Sequence, residues 1–166
     1  EQGLLCREMK LADLSGRKVG KLAETGDFYR LDMKLKYSGE GAVFGFCICA
    51  DSDGKGYEYR FSAGEGRVCF DKMPGNTWNR LQNRDLYQSV CLKEGQEYEI
   101  CLIVDGDICV LYVDGIALGA RMCEHPGNAV ELYICDGNVQ AEEITLYDKL
   151  NADKHYSVSG AQNTKR

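Results

Sequence analysis

Apolar and polar positions along residues 96–122, QEYEICLIVDGDICVLYVDGIALGARM, fall into three short runs separated by two glycine-bearing turns. Runs 100–104 and 108–113 flank Asp105, Gly106 and Asp107, and Asp114-Gly115 separates the second run from Ile116, Leu118 and Met122. Glycine-containing connections of two to five residues between such runs read as β-hairpins. The stretch is therefore a meander of three antiparallel strands. Its first two runs are apolar at every position instead of alternating, which predicts strands covered on both faces and central in their sheet.

Upstream, Tyr29, Leu31, Met33, Leu35 and Tyr37 alternate with Arg30, Asp32, Lys34 and Lys36, a half-buried strand with one wet face. Ser38-Gly39-Glu40-Gly41 reads as a turn into a second doubly apolar strand, 42–51. The loop 51–56 then leads to a strand in which Tyr57, Tyr59 and Phe61 share one face and Glu58 and Arg60 the other, and 64–66 turns into a strand over 67–73. Residues 28–73 thus read as four strands joined by hairpins. Residues 74–95 are irregular, with a strand-like pattern only over 86–92, and a long irregular connection inside a compact β domain favours a functional loop. Segments 128–135 and 139–148 read as two closing strands. Leu4, Leu5 and Met9 suit a first strand, in a leading segment, 1–27, that otherwise contributes at most an edge. The polar stretch 149–166 reads as a tail or linker. Many short strands without a long helical pattern predict an all-β fold, a concanavalin-like or jelly-roll antiparallel β-sandwich over residues 28–148.

A chain of 166 residues suits one domain. Its 19 glycines and 10 tyrosines agree with the all-β reading. A formal charge of −6 argues against nucleic acid or an anionic membrane as partner. No apolar run is long enough to span a bilayer. The chain starts at Glu1 with neither methionine nor leader and reads as a module of a longer protein. Its nine cysteines are odd in number and fall mostly inside strand patterns, so core thiols are expected in place of disulfides. No C-x₂-C pair supports zinc, and neither a metal nor a cofactor is predicted.

The succession GDFYRLDMKLKY, FGFCICADSDGKGYEYRF, GRVCFDKM and YEICLIVDGDICVLYVDGIALGARM resembles the C-terminal β-sandwich of glycoside hydrolase family 32, the invertases, levanases and other β-fructosidases. The most specific part is a strand ending in Val-Asp, a turn, a strand ending in Asp-Gly and a following arginine, here Asp105, Asp114, Gly115 and Arg121. The family's second strand carries a glutamate near its middle, where this chain has Cys109. Catalysis in that family belongs to a separate propeller, whose Asn-Asp-Pro motif this chain lacks. The resemblance implies a non-catalytic carbohydrate-binding module, recognising fructan or terminal fructose and fused to a catalytic domain. The alternative is a structural sandwich that stabilises a β-fructosidase propeller without touching sugar. A polysaccharide-binding module would be secreted or on the cell surface, and part of an intracellular sucrose hydrolase would be cytoplasmic.

Carboxylate pairs for glycoside hydrolysis are weak here: Asp105 and Asp107 flank a turn glycine, and the adjacent Glu142 and Glu143 point to opposite strand faces. His125 and His155 lie far apart in sequence and predict no triad. Asp51-Ser52-Asp53-Gly54 begins like a calcium loop but lacks the further ligands and closing glutamate. The expected carbohydrate site is Trp78, Arg80 and Arg84 in the irregular loop, with Tyr57, Tyr59 and Arg60 on the preceding hairpin and Asp71 beside them. Aromatic rings suit the C–H faces of a sugar, and arginine and aspartate its hydroxyls. The competing reading has Trp78 plug the sandwich and makes Tyr57 and Tyr59 cross-strand packing pairs.

Overall fold

The structure, a computed structural model, describes residues 12–14, 17–73 and 86–148. Its strands are β1 (Ala12–Leu14), β2 (Arg17–Glu24), β3 (Phe28–Ala50), β4 (Gly56–Ser62), β5 (Arg67–Met73), β6 (Leu86–Ser89), β7 (Glu97–Asp105), β8 (Ile108–Val113), β9 (Ile116–Arg121) and β10 (Ala129–Asp148), with a 3-10 turn, Ala63–Glu65, between β4 and β5. All pairings are antiparallel. One layer runs β1-β2-β10-β3-β4-β5-β6 and the other β10-β3-β7-β8-β9. The expected antiparallel β-sandwich is what the chain forms.

Two strands belong to both layers. Residues 43–48 of β3 pair with β4, whereas residues 28–36 pair with β7. β10 follows β3 through the same change: residues 129–134 lie between β2 and β3, and 138–148 continue along the first half of β3. Both bend at one corner, around Gly39 (φ +110°) and Gly137 (φ +79°), where the register also shifts on either side of Asp136. Strands that switch sheets make the corners of such sandwiches, and glycine alone adopts these dihedrals without strain. The stretch 38–41 is thus a corner within one strand and not the hairpin turn that its glycines suggest. Residues 128–135 and 139–148 are likewise one bent strand. The corner also changes which positions face inward, from Tyr29, Leu31, Met33, Leu35 and Tyr37 before it to Ala42, Phe44, Phe46 and Ile48 after it.

The core between the layers takes these side chains with Tyr57, Tyr59 and Phe61 of β4, Val68 and Phe70 of β5, and Tyr98, Ile100, Leu102 and Val104 of β7. Phe44 stacks on Phe61 at 4.9 Å between ring centroids and Tyr57 on Phe70 at 5.5 Å. β7 is central, as its pattern predicts, yet Cys101 and Ile103 on its outward side are only half-buried. The polar segment before residue 28 supplies more than an edge, because β2 lies one strand inside the layer and pairs with β10. The suggested strand at Leu4, Leu5 and Met9, and the tail 149–166, lie outside the described residues.

Candidate carbohydrate site

Strand register arranges the outward face of the seven-stranded layer in rows. Val19, Tyr133, Gly45, Arg60, Cys69 and Tyr87 stand opposite one another across β2, β10, β3, β4, β5 and β6. On one side of this row lie Glu131, Cys47, Glu58 and Asp71, and on the other Val43, Ser62, Arg67 and Ser89. Directly opposed side chains are close enough to interact, and diagonal neighbours are within reach of long ones. A groove of about 360 Å³ opens between the first and third rows, lined by Val43, Arg60, Ser62, Glu65, Arg67 and Cys69 with glycines 41 and 64.

Arg60 is half-buried in this groove, and its guanidinium has no hydrogen bond or ion pair among the described residues. Arg67 is held at the rim by Glu65, Nε to Oε2 2.6 Å, and lies 5.6 Å from the ring centre of Tyr87. Tyr87 is 53% exposed, an aromatic ring left on the surface at the edge of the layer. The groove thus offers planar donors, a serine hydroxyl and an aromatic face within one patch, the group types that take the hydroxyls and C–H surface of a sugar.

The other end of the patch is closed. Tyr133 is fully buried although it points outward, because the Arg17 guanidinium lies 4.5 Å from its ring centre. Arg17 also pairs with Glu58 at 3.1 Å, whose side chain is 10% exposed. The Tyr133 hydroxyl reaches over Gly45, where an added Cβ would stand 2.9 Å from it and 1.9 Å from the carbonyl oxygen of Tyr59, so only glycine fits. Burial, then the Glu58 carboxylate, push the Tyr133 phenol well above its ordinary range. Around it Cys47, Ala50, Met73 and Ala129 form a small second apolar cluster. This cluster is what covers the outward side of the doubly apolar run in β3.

The sequence-derived residues separate accordingly. Arg60 and Asp71 lie on the outward face, in neighbouring rows. Tyr57 and Tyr59 do not join them: alternation along β4 turns both into the core, each with 0% exposure. The Tyr57 hydroxyl accepts hydrogen bonds from the backbone N–H groups of Cys123 (3.0 Å) and Glu124 (3.1 Å), and that of Tyr59 donates to the Leu118 carbonyl (3.1 Å). Their rings are closed to a ligand, so packing is their role. Trp78, Arg80 and Arg84 lie outside the described residues, on the chain between β5 and β6. Tyr87 was legible as the outward partner of Leu86, and Arg67 as the alternate of Val68.

Two other clusters have chemical potential on paper. At the end of the sandwich Cys49 Sγ lies 3.8 Å from His125 Nδ1, His125 Nε2 lies 3.0 Å from Asp107 Oδ1, and Arg121 adds an ion pair to Asp107 at 3.5 Å. Cys49 has a strained φ of +50°. The order resembles a nucleophile, a base and an orienting acid, which sequence distance had hidden. Burial and then Asp27, however, push the Cys49 thiol up to about 11, which disfavours its thiolate at neutral pH. In the 51–54 loop, Asp51 Oδ1 accepts from the N–H groups of Asp53 (2.9 Å) and Lys55 (2.8 Å), which is turn chemistry. Among the described residues no three His, Cys, Asp or Glu side chains are placed to hold a metal ion. The eight described cysteines are free.

No family model and no curated protein matches this chain. Solved structures do. The carbohydrate-binding module CBM66 from Bacillus subtilis superposes with a TM-score of 0.67 at 13% identity, over 85% of this chain and 92% of that one. The Caenorhabditis elegans galectin LEC-6 gives 0.62 at 13% identity, over 87% and 99%. A fructosyltransferase from A. japonicus gives 0.58 at 14% identity, over 89% of this chain but only 26% of the enzyme. The chain shares the β-sandwich fold of these structures.

Proposed function

We propose that this protein is a non-catalytic carbohydrate-binding module whose ligand lies on the outward face of the seven-stranded layer. The observation that carries the reading is Arg60: a half-buried guanidinium with no hydrogen bond or ion pair among the described residues, in a groove that also holds Ser62 and Arg67, the latter beside the exposed ring of Tyr87. An arginine without a partner among the described residues keeps its donors for a polyol. Two of the superposable structures are a carbohydrate-binding module and a galectin, which supports the same ligand class. The strand motif of Asp105, Asp114, Gly115 and Arg121 and the likeness to part of a fructosyltransferase favour fructan or a fructose-terminated glycan, and a fused catalytic domain. In this reading Arg60 and Asp71 bond the sugar hydroxyls, with Trp78, Arg80 and Arg84 of the 74–85 connection as further contacts.

Each hydrogen bond to a neutral sugar replaces one to water and nets about 0.5–1.5 kcal/mol. Three or four of them with one stacked ring give a dissociation constant nearer millimolar than nanomolar. Calorimetry with fructose, levan-type and inulin-type oligosaccharides and thio-digalactose tests the reading. Binding of a fructose-terminated oligosaccharide, weakened at least about tenfold by Arg60→Ala, is expected. Binding unchanged by both Arg60→Ala and Asp71→Asn would place the ligand elsewhere. Binding of thio-digalactose alone would replace fructan by galactoside. No binding at all would leave the structural sandwich.

A further inference from the structure

The opposite, five-stranded layer carries a separate groove of about 380 Å³ on its own outward face. Its floor and walls come from five places in the fold: Arg30, Asp32 and Lys34 of β3, Glu99 and Cys101 of β7, Tyr112 of β8, Gly115 in the turn before β9, and Glu143 of β10. Register aligns Thr145, Asp32, Cys101, Tyr112 and Ala117 in one row across the layer, with Lys34 and Glu99 opposed in the next. The groove runs between these rows.

Three features distinguish it from an incidental depression. First, its polar walls are preset: Arg30 Nε bonds Asp32 Oδ1 at 2.8 Å, Lys34 Nζ bonds Glu143 Oε1 at 2.8 Å, and the Glu99 backbone N–H is held by Asp114 Oδ1 at 2.7 Å. Second, Glu143 reaches Lys34 from a strained backbone, φ +52°, at a bulge where β10 slips its register against β3. Such a conformation costs on the order of 1–3 kcal/mol, and bulges serve to re-aim side chains. Third, Tyr112 stands half-buried on the floor, and the next strand places only the small Ala117 opposite it, with Gly119 beside that, so its ring is not walled in on that side.

We infer that this groove is a second carbohydrate subsite, independent of the first face and taking one or two neutral sugar units. The lining matches that chemistry. Both cations are already neutralised by carboxylates, so an anionic ligand gains no free positive charge. The paired groups still present planar donors and acceptors to hydroxyls, and the Glu99 carboxylate, opposite Lys34 but with no side-chain hydrogen bond among the described residues, adds an acceptor beside the tyrosine ring. The volume lies within the roughly 300–1,000 Å³ of small-ligand sites. Two subsites on opposite faces make a bivalent module, which bridges polysaccharide chains and gains avidity without any new contact. The inference shares its ligand class with the function proposed above but not its site.

The test uses an array of immobilised fructo-, galacto- and gluco-oligosaccharides with the wild type, Arg60→Ala, Tyr112→Ala, Glu99→Gln and the Arg60→Ala/Tyr112→Ala double variant, each shown folded by thermal melting. Arg60→Ala is expected to retain part of the binding. Tyr112→Ala and Glu99→Gln are expected to lose that retained part at least fivefold, and the double variant to bind nothing. The wild type, and none of the three single variants, should then cross-link a soluble polysaccharide of the retained class in light scattering. Loss of all binding in Arg60→Ala, with Tyr112→Ala and Glu99→Gln equal to the wild type, overturns the second subsite and leaves the proposed function standing. A wild type that binds no glycan overturns both.

Discussion

Gly39 and Gly137 meet across the corner of the sandwich, with the Gly137 Cα only 3.2 Å from where a Cβ on Gly39 would stand. A Cβ on Gly137 would lie 2.6 Å from the Ser38 carbonyl oxygen and 2.7 Å from the Ala42 Cβ, on a backbone already at positive φ. Gly137→Ala is therefore expected to cost about 2–3 kcal/mol. For a domain of this size that lowers Tm by roughly 4–12 °C. An unaltered melting temperature would mean that the two strands do not turn together here.

The buried thiols make alkaline pH destabilising. Burial pushes Cys109 up to about 12 and Cys49 to about 11, against an ordinary value of 9.0 in the unfolded chain. The folded state thus holds protons that the unfolded state releases. Their contribution is complete below about pH 9 and is lost as pH rises towards 11–12. The slope is about 1.4 kcal/mol per pH unit for each thiol. Thermal melts from pH 8 to 11 should fall more steeply for the wild type than for a Cys49→Ala/Cys109→Ala variant, and equal slopes would refute this assignment.

Arg17 holds the Tyr133 ring and the Glu58 carboxylate at once, with Met73 Sδ a further 3.2 Å contact. Removing it by Arg17→Ala leaves a nearly buried carboxylate without this partner, an expected loss of about 1–3 kcal/mol in chemical denaturation. Adding Glu58→Gln should recover part of that loss, since no charge is then stranded. A double variant whose loss is the plain sum of the two single losses would show the pair to be uncoupled.

The hydroxyl of Tyr133 is buried without a hydrogen bond of ordinary geometry among the described residues. Tyr133→Phe should consequently change stability by no more than about 1 kcal/mol, and in the favourable direction if it changes at all. A loss above about 2 kcal/mol would mean that the hydroxyl donates to Glu58.

Alternation made the inward and outward faces of β3, β4 and β7 readable from sequence, because a period of two leaves no other assignment for residues such as Tyr29 and Leu31. It also separated Tyr57 and Tyr59 from Arg60, yet grouping them by nearness in sequence joined opposite faces in one site. The corners were not readable. Glycine marks a chain reversal and a bend by the same freedom of φ, so 38–41 read as a hairpin until pairing with β10 was seen. Rows such as Gly45, Arg60, Cys69 and Tyr87 draw on strands up to 42 residues apart in sequence, and only register brings them together. Cys49, His125 and Asp107 were hidden for the same reason.

The continuity of β3 and β10 has a consequence during synthesis. β2 pairs with β10, and both halves of β3 need β10 as a neighbour, so neither layer is finished before residue 148 has been made. At roughly 5–20 residues per second, β3 waits about 5–20 s with one edge open after its own last residue. An unpaired strand of 23 residues is a template for other chains through that interval. A growing chain of this protein is accordingly most vulnerable to association in the half that is translated first.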